Sequence, residues 1–318
     1  MSKPKVSVCM IVYNHEKYIE EAIRGVLIQQ TNFDIEFILA NDASKDKTHE
    51  IICKLAIDTE KISFKYFNHK ENLGMIPNFV FALKECTGKY IALCEGDDYW
   101  TDPLKLQKQV DYLDKNKDFI AHSHNTHFVD ERYEIQSNRV FSSLSSRQIS
   151  IYDLCPVRTF HTASLIFRNE ALKNVDFPYM LNYIMSGDKY IYMLLFLKGK
   201  IFYDEKPMAF YRRNDGGVSA SMKLHLFMDS DIKMYSKFLS IVPNEYKKAL
   251  YESINYYKLN RFKFLANHRM SFRLVYYYLL LIPIIGKTKY LGKSTFIQLS
   301  KQLLKNFQDS FIKIKPFK

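Results

Sequence analysis

The sequence predicts an α/β chain: a mostly parallel sheet flanked by helices, followed by a helical, basic C-terminal extension. Three features predict it. Apolar runs of strand length alternate with stretches of helical period over residues 1–113, the pattern of βαβ units. One such run, KYIALC, is followed at once by three acids in four positions, Glu95, Asp97 and Asp98. Finally, of 46 basic and 34 acidic side chains, 18 and 5 lie from Lys223 onward, leaving 28 and 29 before it. The net charge of +12 therefore belongs to the end of the chain.

In chain order, KVSVCMIVYN (Lys5 to Asn14) is a buried strand with a polar end, and the helix after it repeats apolar residues at Tyr18, Ile19, Ala22, Ile23, Val26 and Leu27. FDIEFILANDAS is a second strand ending at Asn41 and Asp42, with Ser44 placed to cap the helix through DKTHEIICKLAID. ISFKYF is a third strand, NHKENLG a loop broken at Gly74, and Pro77 suits the first turn of the helix through NFVFALKEC. KYIALC then leads to the acids. A parallel sheet holds ligands beyond the carboxyl ends of its strands, so Tyr13, Asn14, Asn41, Asp42, Asn72 and Asp97 are expected in one crevice. Carboxylates this close repel and are costly to desolvate, so the cluster calls for a divalent cation carrying a diphosphate.

After the helix PLKLQKQVDYLDKN, FIAHSHNTHFVD reads as a strand and the serine-rich SNRVFSSLSSRQIS as a mobile loop. HTASLIF reads as a strand, SGDKYIYMLLFLKG as a helix with Asp188 at its start, and KIFYDEKPMAFYRRNDGG as two short strands running into a glycine turn. From Met222 the pattern is helical. Its run LVYYYLLLIPII, Leu274 to Ile285, is about 18 Å long as helix, against the roughly 30 Å of a hydrocarbon core. It does not span a membrane. With basic residues on both sides it would lie against an anionic leaflet, or pack on the main domain with its lysines solvated. The expected domains are 1–221, with halves 1–113 and 114–221, and 222–318.

The five cysteines are odd in number and lack paired spacing, which predicts reduced core thiols and a cytosolic setting. The N-terminus runs straight into a strand pattern, so no cleavable leader is expected. VYNHEKY lacks the GxGxxG of a dinucleotide dehydrogenase, and no nucleic-acid-binding signature accompanies the basic tail. His122, His124 and His127 lack the acid or cysteine spacing of a zinc site.

Taken together, VSVCMIVYNHEKYIEEAIRGVLIQQ, the Asn41–Asp42 pair in ILANDASKDKT, the ENLG loop and EGDDYWTDPLKLQKQVDYL resemble the family 2 glycosyltransferases of GT-A fold. The likeness is dense from Lys5 to Leu113 and looser to Ser221. It implies an inverting, metal-dependent enzyme of surface-polysaccharide assembly, and the charge and aromatic run of the tail predict that it works at the inner face of a bacterial membrane. Such an enzyme moves a hexosyl or N-acetylhexosaminyl group from a UDP-linked donor to a hydroxyl of a glycan or lipid-linked glycan. By position, Tyr13, Asn14 and Asp42 match residues that hold the nucleoside, Asn72 the loop closing over it, and Asp97, with Asp98 beside it, the end of the DxD motif. Glu95 stands where the first Asp of that motif is usual, so Glu95 and Asp97 are the expected ligands of Mg²⁺ or Mn²⁺. Asp188 matches the acidic catalytic position, where a base takes the proton of the attacking hydroxyl. Arg212 and Arg213 resemble a segment that clamps the diphosphate, with Asn214 where histidine is common. His124 would face the sugar pocket, Trp100 would stack on an acceptor sugar or anchor the core, and His161 would line the acceptor cleft or satisfy a strand end. The departures at Glu95 and Asn214 keep open a second reading, a non-catalytic sugar-nucleotide-binding or membrane-docking module on the same fold.

Overall fold

The structure is a computed structural model that describes residues 4–129, 135–137, 145–158, 160–212, 224–267, 297–298 and 300–301. The chain divides into two units, Met1–Gly217 and Val218–Lys318. In the first unit the described strands are β1 (Val6–Val12), β2 (Ile35–Asn41), β3 (Ile62–Asn68), β4 (Tyr90–Leu93), β5 (Tyr99–Trp100), β6 (Phe119–Val129), β7 (Ile135–Ser137), β8 (Arg147–Gln148), β9 (Ile166–Arg168) and β10 (Lys200–Arg212). The helices are α1 (Ile19–Leu27), α2 (Thr48–Leu55), α3 (Met75–Glu85), α4 (Lys105–Lys115), α5 (Ile151–Leu154), α6 (Phe177–Tyr183) and α7 (Gly187–Lys198).

The strands form one sheet in the order β3-β2-β1-β4-β9-β6-β10-β5, with β7 on β6 and β8 on β10. Strands β3, β2, β1 and β4 are parallel; the inner ones are mainly apolar, with every residue of β2 and β4 buried, while β3 at the edge is half-exposed. Helix α1 covers them with Ile19, Ala22, Ile23 and Val26, the face its periodicity marked. Helix α3 starts after Gly74, whose φ of 92° glycine adopts without strain.

Beyond β4 the sheet is mixed rather than mostly parallel. Strand β9 runs antiparallel to both β4 and β6, and β10 returns parallel to β6. Two readings of the sequence change here. HTASLIF is a 3₁₀ turn, Thr162–Ser164, followed by β9. KIFYDEKPMAFYR is one strand of thirteen residues, not two; register shifts fall either side of Pro207, which lacks the N–H a regular ladder needs. The serine-rich segment ends in β8 and in a capping box, Ser150 with Asp153, that opens α5; its residues 138–144 lie outside the described residues.

The second unit holds α8 (Leu224–Phe238) and α9 (Asn244–Asn267). Arg261 Nε donates to Asp229 Oδ1 at 3.0 Å between these helices, so a buried guanidinium is matched by a carboxylate. The apolar run Leu274 to Ile285 lies outside the described residues, as do Arg213 and Asn214. Among the described residues no helix is long and apolar enough to cross a membrane.

Candidate active site

Because β1, β2 and β4 are parallel, their carboxyl ends open on one side of the sheet. There the β1 and β2 loops are fastened together. Asn14 N–H donates to Ser44 Oγ (2.9 Å), Lys45 N–H to Asn14 Oδ1 (2.8 Å) and His15 N–H to Thr48 Oγ1 (2.8 Å). Both loops turn through left-handed backbone, at Asn14 (φ 55°) and Ala43 (φ 56°). Asp42, buried at the end of β2, accepts the N–H groups of Leu73 (2.7 Å) and Gly74 (3.0 Å), and Asn72 Nδ2 donates to its carbonyl (3.2 Å). Positions 14, 42 and 72 thus form one connected rim, with Tyr13, Asn14 and Asn72 exposed.

The acidic segment lies across the end of β1. Gly96 N–H donates to Ile11 O at 3.1 Å, and a Cβ at Gly96 would come within 2.8 Å of Val12 Cγ2 and 2.9 Å of His15 Nδ1. Glycine is what lets the acids approach. Asp97 Oδ2 stands 4.0 Å from His15 Nε2. Asp98 is fully buried: Oδ1 accepts Arg212 N–H at 2.9 Å, and Oδ2 lies 3.3 Å from His161 Nδ1. That imidazole nitrogen accepts Ala163 N–H, so two acceptors face each other and need a proton or a cation between them. Burial, then the charges of Asp97 and Glu95, push the Asp98 carboxyl well above the carboxylate range. Burial and Asp97 push Glu95 up to about 7, while burial and the charge of Arg158 hold the His161 imidazole well below its ordinary value.

Glu95, Asp98 and His161 bring ligand atoms within 4.8 Å of one another. Carboxylate oxygens with one imidazole fit a hard divalent ion, and the facing acceptors of Asp98 and His161 are what such an ion would relieve. The geometric donor set therefore differs from the expected pair: it shares Glu95, replaces Asp97 with Asp98 and adds His161.

Asp188 opens α7, with its Oδ1 accepting Lys189 N–H at 2.7 Å. Its Oδ2 accepts Thr162 Oγ1–H at 3.3 Å and is ion-paired with the Arg158 guanidinium. The Arg158 charge also favours the ionised form of Glu95, so one side chain acts on both the acid segment and Asp188.

Glycosyl transferase family 2 matches residues 7–176. The chain belongs to this family. Among its relatives, an uncharacterized protein of Mycobacterium tuberculosis is 37% identical over 214 residues, 67% of this chain and 60% of that protein. The chain thus matches about 60% of the length of these mycobacterial relatives. The UDP-Glc:alpha-D-GlcNAc-diphosphoundecaprenol beta-1,3-glucosyltransferase WfaP of Escherichia coli is 28% identical over 228 residues, 71% of this chain and 84% of that enzyme. In fold, the chain is similar to S. aureus TarS 1-349 in complex with UDP-GlcNAc (TM-score 0.62, 17% identity, 99% of this chain and 93% of that one). It is also similar to the mannosyltransferase PcManGT from Pyrobaculum calidifontis in complex with GDP-Man and Mn²⁺ (TM-score 0.56, 14% identity, 97% and 88%). The family 2 chain therefore has the GT-A type of fold.

Several candidates sit where they do other work. Trp100 is 1% exposed, donates Nε1–H to Ala163 O (2.8 Å) and carries Lys105 Nζ over its ring (4.0 Å), so it anchors the core and presents no face to a sugar. His124 is fully buried in β6, beside the Asn125 carbonyl, and does not open on a pocket. His161 belongs to the acid cluster rather than a cleft wall and stacks on Tyr211 at 4.0 Å. Asp98 lies beneath the crevice, tying β10 to the acid segment. Arg212 is buried between Tyr18 (4.7 Å) and Tyr99 (5.0 Å); it donates to Asp97 O (2.9 Å) and Glu21, an arrangement that braces the acids and offers no phosphate clamp. Both oxygens of Asp42 serve the 72–74 loop. His15 and Arg158 were missed. His15 directly follows Asn14, and Arg158 is the only charged residue between Asp153 and Arg168, a lone cation in an apolar stretch that asked for a partner.

Proposed function

We propose that the chain is an inverting glycosyltransferase that moves a sugar from a UDP-linked donor to a hydroxyl of a glycan or lipid-linked glycan. The arrangement that carries this reading is Arg158, ion-paired with Asp188 while its charge acts on Glu95 of the acid segment. Tyr13, Asn14, Asp42 and Asn72 form the nucleoside rim. Asp188 takes the proton of the acceptor hydroxyl as its oxygen attacks the anomeric carbon and the diphosphate leaves with its bond pair, inverting the centre. A divalent ion, Mg²⁺ or Mn²⁺, held by Glu95 and Asp98 or Asp97 with His161, would supply charge neutralisation for the diphosphate. Gly96 seats the segment and Arg212 braces it from behind.

Relatives support the donor class, since WfaP is named for UDP-Glc and TarS is seen with UDP-GlcNAc. The basic region from Lys223 would hold the enzyme on the anionic inner face of a bacterial membrane, where a lipid-linked acceptor is presented; loss of sedimentation with anionic liposomes in a protein cut after residue 222 tests this. The reaction is tested by following UDP release from a panel of UDP-sugars with Mn²⁺. Asp188→Asn is expected to lower turnover by about 10²–10⁴ while leaving UDP binding intact. Turnover equal to wild type in Asp188→Asn and Asp97→Asn proteins would remove these residues from the mechanism, and no UDP release by the wild type with any donor and acceptor tried would remove the enzymatic reading.

A further inference from the structure

An ion pair between Arg158 and the carboxylate assigned as the base is unexpected in a working transferase. A guanidinium on a carboxylate stabilises its charged form and weakens its hold on a proton, the opposite of what proton abstraction needs. Nor is the pair sealed in the core: the side chains are 18% and 21% exposed, so a ligand can reach both. Arg158 also donates to Thr162 Oγ1 at 3.5 Å and lies 5.5 Å from the centre of the Tyr192 ring. The Arg158 charge also acts on Glu95, and Arg212 is already committed to Glu21. Inversion puts the base on the sugar face opposite the leaving diphosphate. A guanidinium touching the base therefore stands on the acceptor side.

We propose that Arg158 is the acceptor-recognition residue of this site: it binds an oxyanion carried by the acceptor next to the reacting hydroxyl, and in doing so releases Asp188 to act as base. The inference rests on the transferase reading for the identity of Asp188 as base, but not for the exchange of partners itself. A guanidinium fork recognises a phosphate and a carboxylate alike, so the acceptor class is an anionic sugar, phosphorylated or carboxylated. Without such an acceptor the pair stays closed, and water entering the site meets a base whose charge is already taken up.

Binding tests it without turnover. The full chain saturated with UDP and Mg²⁺ is titrated by calorimetry with N-acetylglucosamine 1-phosphate, glucuronic acid and N-acetylglucosamine as probes, which separate phosphate, carboxylate and neutral sugar. The wild-type protein is expected to prefer at least one anionic probe over the neutral one by tenfold or more. Arg158→Ala should abolish that preference and Arg158→Lys should keep part of it. Asp188→Asn should tighten the anionic probe about fivefold, because it removes the competitor for the guanidinium; a merely structural arginine would not produce this gain. Thermal melts confirm that each variant is folded, and the asparagine variant reports even if Arg158→Ala is not. No preference for an anion in the wild type, preference surviving Arg158→Ala, or no gain in Asp188→Asn overturns the proposal. So does a loss in Arg158→Ala that falls on UDP affinity, which would assign the residue to the donor phosphates. If transfer activity is absent but the binding pattern holds, the transferase reading fails and the partner exchange stands.

Discussion

The two halves of the catalytic unit treat polar residues in opposite ways. In the β1–β4 half, polar residues just past the strand ends lie at the rim: Tyr13, Asn14 and Asn72 are exposed, and their backbones are fastened by short hydrogen bonds between neighbouring loops. In the β6–β10 half, comparable residues are swallowed: His122, Ser123, His124, Asn125 and Thr126 are all buried in consecutive positions of β6. The difference is position in the sheet. Strand β6 lies inside it, paired with β9 and β10, and helix α4 reaches over it: Gln109 bonds His122 Nδ1 (3.1 Å) and Ser164 O (2.9 Å). A polar residue marks a ligand site only where the chain has run out of sheet to pair with.

Trp100 gives the sharpest test of that contrast. As a core anchor its replacement by Ala is expected to destabilise the protein by about 3–5 kcal/mol, read from urea midpoints; an unchanged midpoint with weakened acceptor binding would put the ring back at the rim. Lys105 comes next. Burial pushes its ammonium down to about 7, so between that value and the ordinary 10.5 the unfolded chain binds the extra proton and the folded one does not. Stability should then rise as pH climbs through that window, by about 1 kcal/mol per pH unit, with the full penalty present below pH 7. Lys105→Met should flatten the slope, and parallel slopes in the two proteins would show that the Trp100 face keeps the charge at no cost. Smallest of all, Tyr13→Ala should move stability by less than about 0.5 kcal/mol while weakening UDP binding several-fold, because an exposed rim residue contributes to the ligand and little to the fold. A change in midpoint as large as that of Trp100 would erase the distinction between the halves.

How far the sequence could be read follows the same line. Strands β1 to β4 were legible because each is a mainly apolar run of strand length followed by polar residues, and a parallel sheet needs no knowledge of distant partners to say where those ends meet. The β6–β10 half depends on pairings across long separations. Nothing in HTASLIF says that β9 slots antiparallel between β4 and β6, and the PMA step inside β10 looks like a break until the ladder with β6 is seen to continue past Pro207. Arg212 was read as facing phosphate because its segment resembles one that clamps the diphosphate. Its register on β10 instead places it behind the acids, where two tyrosine rings and Glu21 hold it. Asp188 entered as a candidate through the family pattern, yet its ion-pair partner Arg158 did not, since thirty residues separate them in the chain.

Ala43 turns the β2 loop in the left-handed region without the help of glycine. A randomised library at this codon should therefore return Gly, Asn and Asp and discard Val, Ile and Thr, whose branching next to the backbone cannot accept that turn. Breeding a hardier form of the protein can begin here, with Ala43→Gly, where the gain comes through the shape of the chain alone.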